Sequence, residues 1–286
     1  MSSTTLAVGN AEITAILDVD TSIPLDALFD GSGDPLPGGA GSIADRYGDE
    51  FSVDAWHFRD HCFLVRTPGR LTLIDTGSGP ADSAFGRWLG VAGSLQDELS
   101  ALGVAPDDID DVILTHVHSD HTGWSTMPSA SGRVPRFPNA RYYVHGADVE
   151  WMRAFTDEDA VREFAEVIAP LEASEQLDVS LEDREVSPGL SLRHAPGHTP
   201  GHRCVLLDAS DERVLFTGDL LHFTFQLNDP WFRAPGEHDP DEACRTRAAW
   251  LDRAESERLT VATAHVPPSP IGRIVRVHGE RLIRPR

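Results

Sequence analysis

A chain of 286 residues, 40% hydrophobic and 24% charged, is long enough to bury a sizeable core. Its 24 basic and 46 acidic residues leave a formal net charge of −22, which repels phosphate backbones and anionic lipid headgroups and so argues against nucleic acid and membrane surfaces as partners. No run of eighteen apolar residues occurs, and the start, MSSTTLAVGN, lacks the basic and apolar regions of a secretory signal; a cytoplasmic protein is expected. Cys62, Cys204 and Cys244 are scattered singly, so neither a disulfide framework nor a paired-thiolate zinc site is indicated, and buried apolar roles are expected for them. No long linker divides the chain, which predicts one domain over 1–286.

In chain order, EITAILDV at 12–19, HCFLVRT at 61–67 and RLTLID at 70–75 read as strands, the last two joined as a hairpin by Pro68-Gly69. Between the first two lies a Gly-, Pro- and Asp-rich stretch; 29–58 is expected to be an excursion loop serving as a lid or a homodimer contact, or else disordered. Residues 82–102 carry Phe85, Trp88, Leu89, Val91, Leu95, Leu99 and Leu102 at roughly helical spacing, with Gly103 as a stop. The strand DVILT follows, then ARYYVH at 140–145 and acidic helices at 147–154 and 157–172. Strands at 203–209 and 213–219 form a second hairpin around Ser210-Asp211-Glu212; a helix at 240–256 leads through LTVATAH to a final strand at 271–277. Two batches of strands, each followed by helices, suit two sheets packed face to face with helices outside.

The strongest chemical signal is Thr115-His116-Val117-His118-Ser119-Asp120-His121, directly after an apolar strand. Residues two apart in an extended segment point the same way, so His116 and His118 can converge on one ion. The turn that follows can aim Asp120 and His121 at a second, and imidazole with carboxylate suits zinc and related borderline metals. His57, His61, His145, His194, His238 and His278 lie outside any ligand spacing.

His116-x-His118-x-Asp120-His121 resembles the signature of the metallo-β-lactamase superfamily, and further landmarks recur in order. Leu73-Ile74-Asp75-Thr76-Gly77 is similar to the family's Asp-Thr-Gly turn, Pro196-Gly197-His198-Thr199-Pro200-Gly201-His202 to its Gly-His-Thr-x-Gly-His element, and Thr217-Gly218-Asp219 to its Gly-Asp turn, with Ala264-His265 closing the set. The resemblance implies an α/β fold, the αβ/βα sandwich of two mixed β-sheets flanked by helices. It implies two divalent metal ions, zinc foremost with iron, manganese or cobalt as alternatives. His116, His118 and His198 would bind the first, Asp120, His121 and His265 the second, and Asp219 would bridge them. Asp75 reads as a carboxylate orienting a ligating histidine; His202 reads either as a similar support or as a structural histidine.

Two metals sharing a carboxylate lower the pKa of a bridging water and polarise a carbonyl or phosphoryl oxygen, which is hydrolytic machinery. Only 21 residues follow His265, too few for the extra C-terminal domain of glyoxalase II-like members, and the strong negative charge disfavours nucleases. The chain resembles most the N-acyl homoserine lactonase and methyl parathion hydrolase branch. The expected function is therefore hydrolysis of a carboxylic ester or lactone, with organophosphate triesters as the alternative and an iron-dependent oxidoreductase as a more distant one. Asp120 and His222 form the candidate catalytic set: lactonases of the branch commonly carry a substrate-contacting tyrosine three residues after the bridging aspartate, where this chain has His222. Phe223, Phe225, Trp231 and Phe232 follow at once, and Trp124 and Trp151 lie on the other side of the motif, so a small-molecule substrate with an apolar acyl or aryl part is expected.

Overall fold

Runs of β-branched and apolar residues build the frame of the protein, which a computed structural model describes over residues 3–29, 31–267 and 269–286. The first batch comprises β1 (Thr4–Val8), β2 (Ala11–Pro24), β3 (Ala55–Thr67), β4 (Arg70–Ile74), β5 (Asp111–Ile113), β6 (Thr126–Ser129), β7 (Gly132–Pro135), β8 (Arg141–His145) and β9 (Leu177–Ser180). The second comprises β10 (Arg184–Ser187), β11 (Leu190–His194), β12 (Arg203–Ala209), β13 (Glu212–Phe216), β14 (Thr260–Ala262), β15 (Ile271–Val277) and β16 (Glu280–Pro285). Helices α1 (Leu25–Leu28) and α2 (Gly39–Arg46) interrupt the run from β2 to β3, and α3 (Ala84–Leu89) and α4 (Leu95–Ala101) that from β4 to β5. A short α5 (Ser119–Thr122) follows β5, α6 (Gly146–Ala154) and α7 (Glu158–Ala173) separate β8 from β9, and α8 (Pro240–Ser256) separates β13 from β14.

The strands form two mixed seven-stranded sheets, ordered β1-β2-β3-β4-β5-β8-β9 and β10-β11-β12-β13-β14-β15-β16, with β6-β7 as a separate pair. Strand β5 is parallel to both β4 and β8, and β13 is parallel to β14. Parallel pairs leave their carboxyl ends side by side, where the loops that follow can gather functional groups. Contacts divide the chain into two compact units, one of residues 1–19 with 60–183 and the other of 20–59 with 184–286. In the first, Ile16, Leu64, Leu73, Val112 and Leu114 pack with Leu95 and Leu99 of α4. In the second, Leu206, Leu215 and Val261 pack with Leu251 and Ala254 of α8.

Several expectations need correction. The stretch 29–58 is not loop throughout, since α2 lies inside it and β3 starts at Ala55; Ile43, the residue of α2 that is buried, gives too weak a period to read from sequence. The single helix expected over 82–102 is broken, because Gly90 adopts φ +69° and ends α3. As a result Trp88 is 56% exposed rather than turned to a core. The strand at 271–277 is not the last, for β16 pairs with it antiparallel. The three cysteines are buried and free, as expected. Among the described residues no helix is long and apolar enough to cross a membrane.

Candidate metal centre

In the first unit the motif leaves β5 and bends at once. The imidazoles of His116 and His118 turn toward each other, with His116 Nε2 3.1 Å from His118 Nδ1; two lone-pair nitrogens this close fit a shared cation. His118 stands at the N-cap position of α5, whose single turn carries Asp120 and His121, and Asp120 Oδ2 lies 3.7 Å from His121 Nε2. The orientation of His121 comes from Asp75, whose Oδ2 is 2.9 Å from His121 Nδ1. Asp75 also accepts from the Thr115 amide at 2.7 Å and the Thr115 hydroxyl at 2.8 Å. It does so from a left-handed backbone, φ +60°, a strained conformation for a non-glycine residue that these bonds hold in place.

The Asp75 turn rests in turn on Asp18, which the sequence did not single out. Its carboxylate accepts from the amides of Ser78 at 2.7 Å and Leu95 at 2.6 Å and from Trp124 Nε1 at 3.2 Å. A Cβ at Gly77, φ +64°, would come within 2.3 Å of that carboxylate, so the family-like glycine is demanded by close approach. Burial pushes the Asp18 carboxyl up to about 6 despite those donors. Glu163 of α7 is a second omission: burial first, then the charge of Asp120, raise it to about 7, and its Oε1 is buried without a hydrogen-bond partner.

In the second unit Asp219 is the hub. Its Oδ1 lies 3.1 Å from His265 Nε2, while its Oδ2 lies 3.4 Å from His198 Nε2 and 3.2 Å from His222 Nε2. A carboxylate that turns one oxygen to one histidine and the other to a different pair has the form needed to serve two ions at once. His198, Asp219 and His222 bring ligand atoms within 4.8 Å of one another. His265 is aimed from behind: its Nδ1 donates to the Arg59 carbonyl at 2.7 Å, which leaves Nε2 for the hub. His202 proves to be a support, since its Nε2 accepts the Asp219 amide at 3.0 Å and its Nδ1 donates to the Ala195 carbonyl at 2.9 Å. Gly197, φ +129°, lets the His198 loop pass α8, where a Cβ would lie 2.2 Å from the Ala243 nitrogen.

The loop after Asp219 is tied down along its length. Gln226 Oε1 accepts the amides of His222 at 2.8 Å and Phe223 at 3.0 Å, and both oxygens of Glu50 accept the Thr224 amide at 3.1 Å. The buried Arg247 donates to the carbonyls of Leu220, Pro230 and Phe232 at 2.8–3.0 Å and pairs with buried Glu237. Phe223, Phe225 and Phe232 are buried and packed on one another, and Trp231 is 61% exposed. The three phenylalanines are thus core rather than the open lining expected; of the aromatics named from sequence, Trp151 stands edge-on to His118 at 5.9 Å and Phe223 lies 5.9 Å from the His222 ring.

Burial pushes the Glu50 carboxyl up to about 8. The folded chain then holds a proton that the unfolded chain loses near the ordinary value, so this contribution to stability is complete below about pH 4.5 and is lost as pH rises through about 8, on the order of 5 kcal/mol in all. Glu50→Gln is expected to flatten the decline, and urea denaturation of both proteins at pH 5, 6.5 and 8 measures it. Parallel stability curves would contradict the assignment.

These geometries describe a class: an α/β protein with candidate histidine and aspartate metal ligands on loops at the ends of sheet strands. Residues 58–265 match the metallo-beta-lactamase superfamily, and the chain belongs to that family. It is a metal-dependent hydrolase. It is 27% identical over 227 residues to the N-acyl homoserine lactonase AttM of Rhizobium radiobacter, covering 72% of this chain and 81% of that one. It is 29% identical over 245 residues to the probable metallo-hydrolase Rv2300c of Mycobacterium tuberculosis, covering 72% and 74%. Among solved structures it is similar to the hydrolase AbOPH, with TM-score 0.82, 25% identity and coverage of 100% and 97%. The fold also matches that of AidC, a dizinc quorum-quenching lactonase, with TM-score 0.81, 20% identity and the same coverage.

Proposed function

We propose that the protein hydrolyses a lactone or carboxylic ester of a small molecule with an apolar acyl or aryl part, using two divalent metal ions, zinc foremost. The ligands in this reading are His116, His118 and His198 for one ion and Asp120, His121 and His265 for the other, with Asp219 between them and the two units acting as one domain. The observation that carries it is Asp219, whose two oxygens address different histidines. When bound, such ions bring the pKa of water near neutrality and polarise a carbonyl oxygen. The chain supplies the rest. Asp75, the Arg59 carbonyl and His202 fix His121, His265 and Asp219, so little reorganisation remains when charge develops. His222, held beside Asp219, hands a proton to the departing alkoxide.

In the second unit a cavity of about 890 Å³ is lined by Leu25, Phe29, Leu36 and Val53 together with Asp26, Asp34 and Asp54, and none of the candidate ligands is among its lining residues. Phe29 stacks on Phe223, the neighbour of His222, at 5.9 Å. The test is a panel of N-acyl homoserine lactones of different chain lengths, aryl esters and phosphotriesters assayed with metal-loaded protein. The highest kcat/KM is expected on a lactone or ester with a long apolar chain. Turnover confined to phosphotriesters would replace this reading with its alternative, and no hydrolysis of any of them would remove it.

A further inference from the structure

A second site lies at the end of the second sheet. Residues 258–286 carry six arginines against one acidic residue, Glu280, in a chain of net charge −22. The register of β15 and β16 sets Arg276 directly opposite Arg281 and Arg273 directly opposite Arg284. Like charges so placed destabilise a sheet unless something neutralises them. Glu255 does so for the first pair, accepting from Arg276 at 3.0 Å and Arg281 at 2.9 Å, with Asp252 also on Arg281. The Arg276 bond, foremost, lowers the Glu255 carboxyl and keeps it anionic.

The other pair has no such arrangement. Arg273 reaches Glu212 through Nη2 at 3.3 Å, and Glu212 is shared with Arg286 at 3.0 Å. The Nε of Arg273 is buried without a partner. Among the described residues, no hydrogen bond or ion pair engages the guanidinium of Arg284 or that of Arg258. Arg258, Arg273, Arg276, Arg284 and Arg286 nevertheless line one cavity of about 540 Å³, whose single acidic lining residue is the already engaged Glu255. Ile274, Val275 and Pro285 complete its wall. That volume falls in the range of small-ligand pockets.

We propose that this cavity binds a small organic phosphate. Arg258 and Arg284 grip the phosphoryl oxygens through paired N–H groups, the Arg273 Nε adds a donor, and the apolar wall takes the organic part. The bound dianion then does for Arg273 and Arg284 what Glu255 does for Arg276 and Arg281.

Phenyl phosphate and inorganic phosphate serve as probes, measured by calorimetry at constant ionic strength on the whole chain, both metal-loaded and stripped by a chelator that is then removed. The stripped protein is expected to bind phenyl phosphate more tightly than inorganic phosphate. R258Q/R284Q should weaken that binding about tenfold or more, with the melting temperature before ligand addition unchanged or raised, as relief of the Arg273–Arg284 repulsion requires, and the hydrolytic activity unchanged. The single variant R284Q, at an exposed side chain, should give part of the loss and stands in if the double variant folds poorly. Binding seen only with metal loaded would assign the phosphate to the metal centre and overturn the proposal. So would equal affinity in wild type and variants, or no binding by the stripped wild type.

Discussion

Replacing Asp219 with Ala is expected to lower the metal content from about two ions per chain toward one or fewer and to cut kcat/KM by about a thousandfold or more. The carboxylate turns its two oxygens to His265 on one side and to His198 with His222 on the other, and water cannot supply its charge. Losing several kcal/mol of charge stabilisation and nucleophile activation corresponds to about three powers of ten in rate. The loss should also appear in stability, because ions that bind only the folded state add to it and chelation removes that gain. Metal analysis by mass spectrometry, with melting curves before and after chelation, measures all three quantities. A stoichiometry near one in metal-saturated wild type would defeat the dinuclear reading.

For His222→Ala, kcat is expected to fall by about 10²–10⁴ while metal content stays at the wild-type level, as for a proton donor that is not a ligand. The geometry makes this a sharp test. His222 Nε2 is 3.2 Å from Asp219 Oδ2, as close as a ligand would be, and its buried Nδ1 has no hydrogen-bond partner. If metal content falls together with kcat, His222 belongs to the ligand set; if kcat is unaltered, it has no part in the reaction. His222→Tyr should retain part of the activity and shift preference toward lactones, since a phenol can also donate to a carbonyl oxygen.

Most of the candidate ligands were legible in the sequence because they sit in short runs of fixed spacing. His116 to His121 occupy six positions and His198 and Asp219 each directly follow a glycine, so local chemistry announces them. The supports were not legible. Asp18 reads as one polar residue in the strand EITAILDV, and nothing in that run shows that it accepts the amides of Ser78 and Leu95, 60 and 77 positions away. Glu50 lies in a stretch without period, and its bond to Thr224 spans 174 positions. Gly90 illustrates the converse: the apolar spacing of 82–102 runs across it, but one left-handed residue ends the helix whatever the pattern says. Of the aromatics after His222, Phe223, Phe225 and Phe232 turn inward and become core while Trp231 is exposed, a division that sequence adjacency does not reveal.

Arg247 holds three carbonyls of the segment from Leu220 to Phe232 with one side chain, while Gln226 and Glu50 hold three successive amides of the same segment. A segment fastened through both its donors and its acceptors behaves as masonry rather than as a door. Recognition by such a surface proceeds by fit to a standing contour, so the enzyme would discriminate by excluding shapes rather than by closing over them. Retuning it to another substrate would then proceed by exchanging individual side chains on an unmoving frame, with insertions or deletions in this segment penalised at once through the bonds they would break.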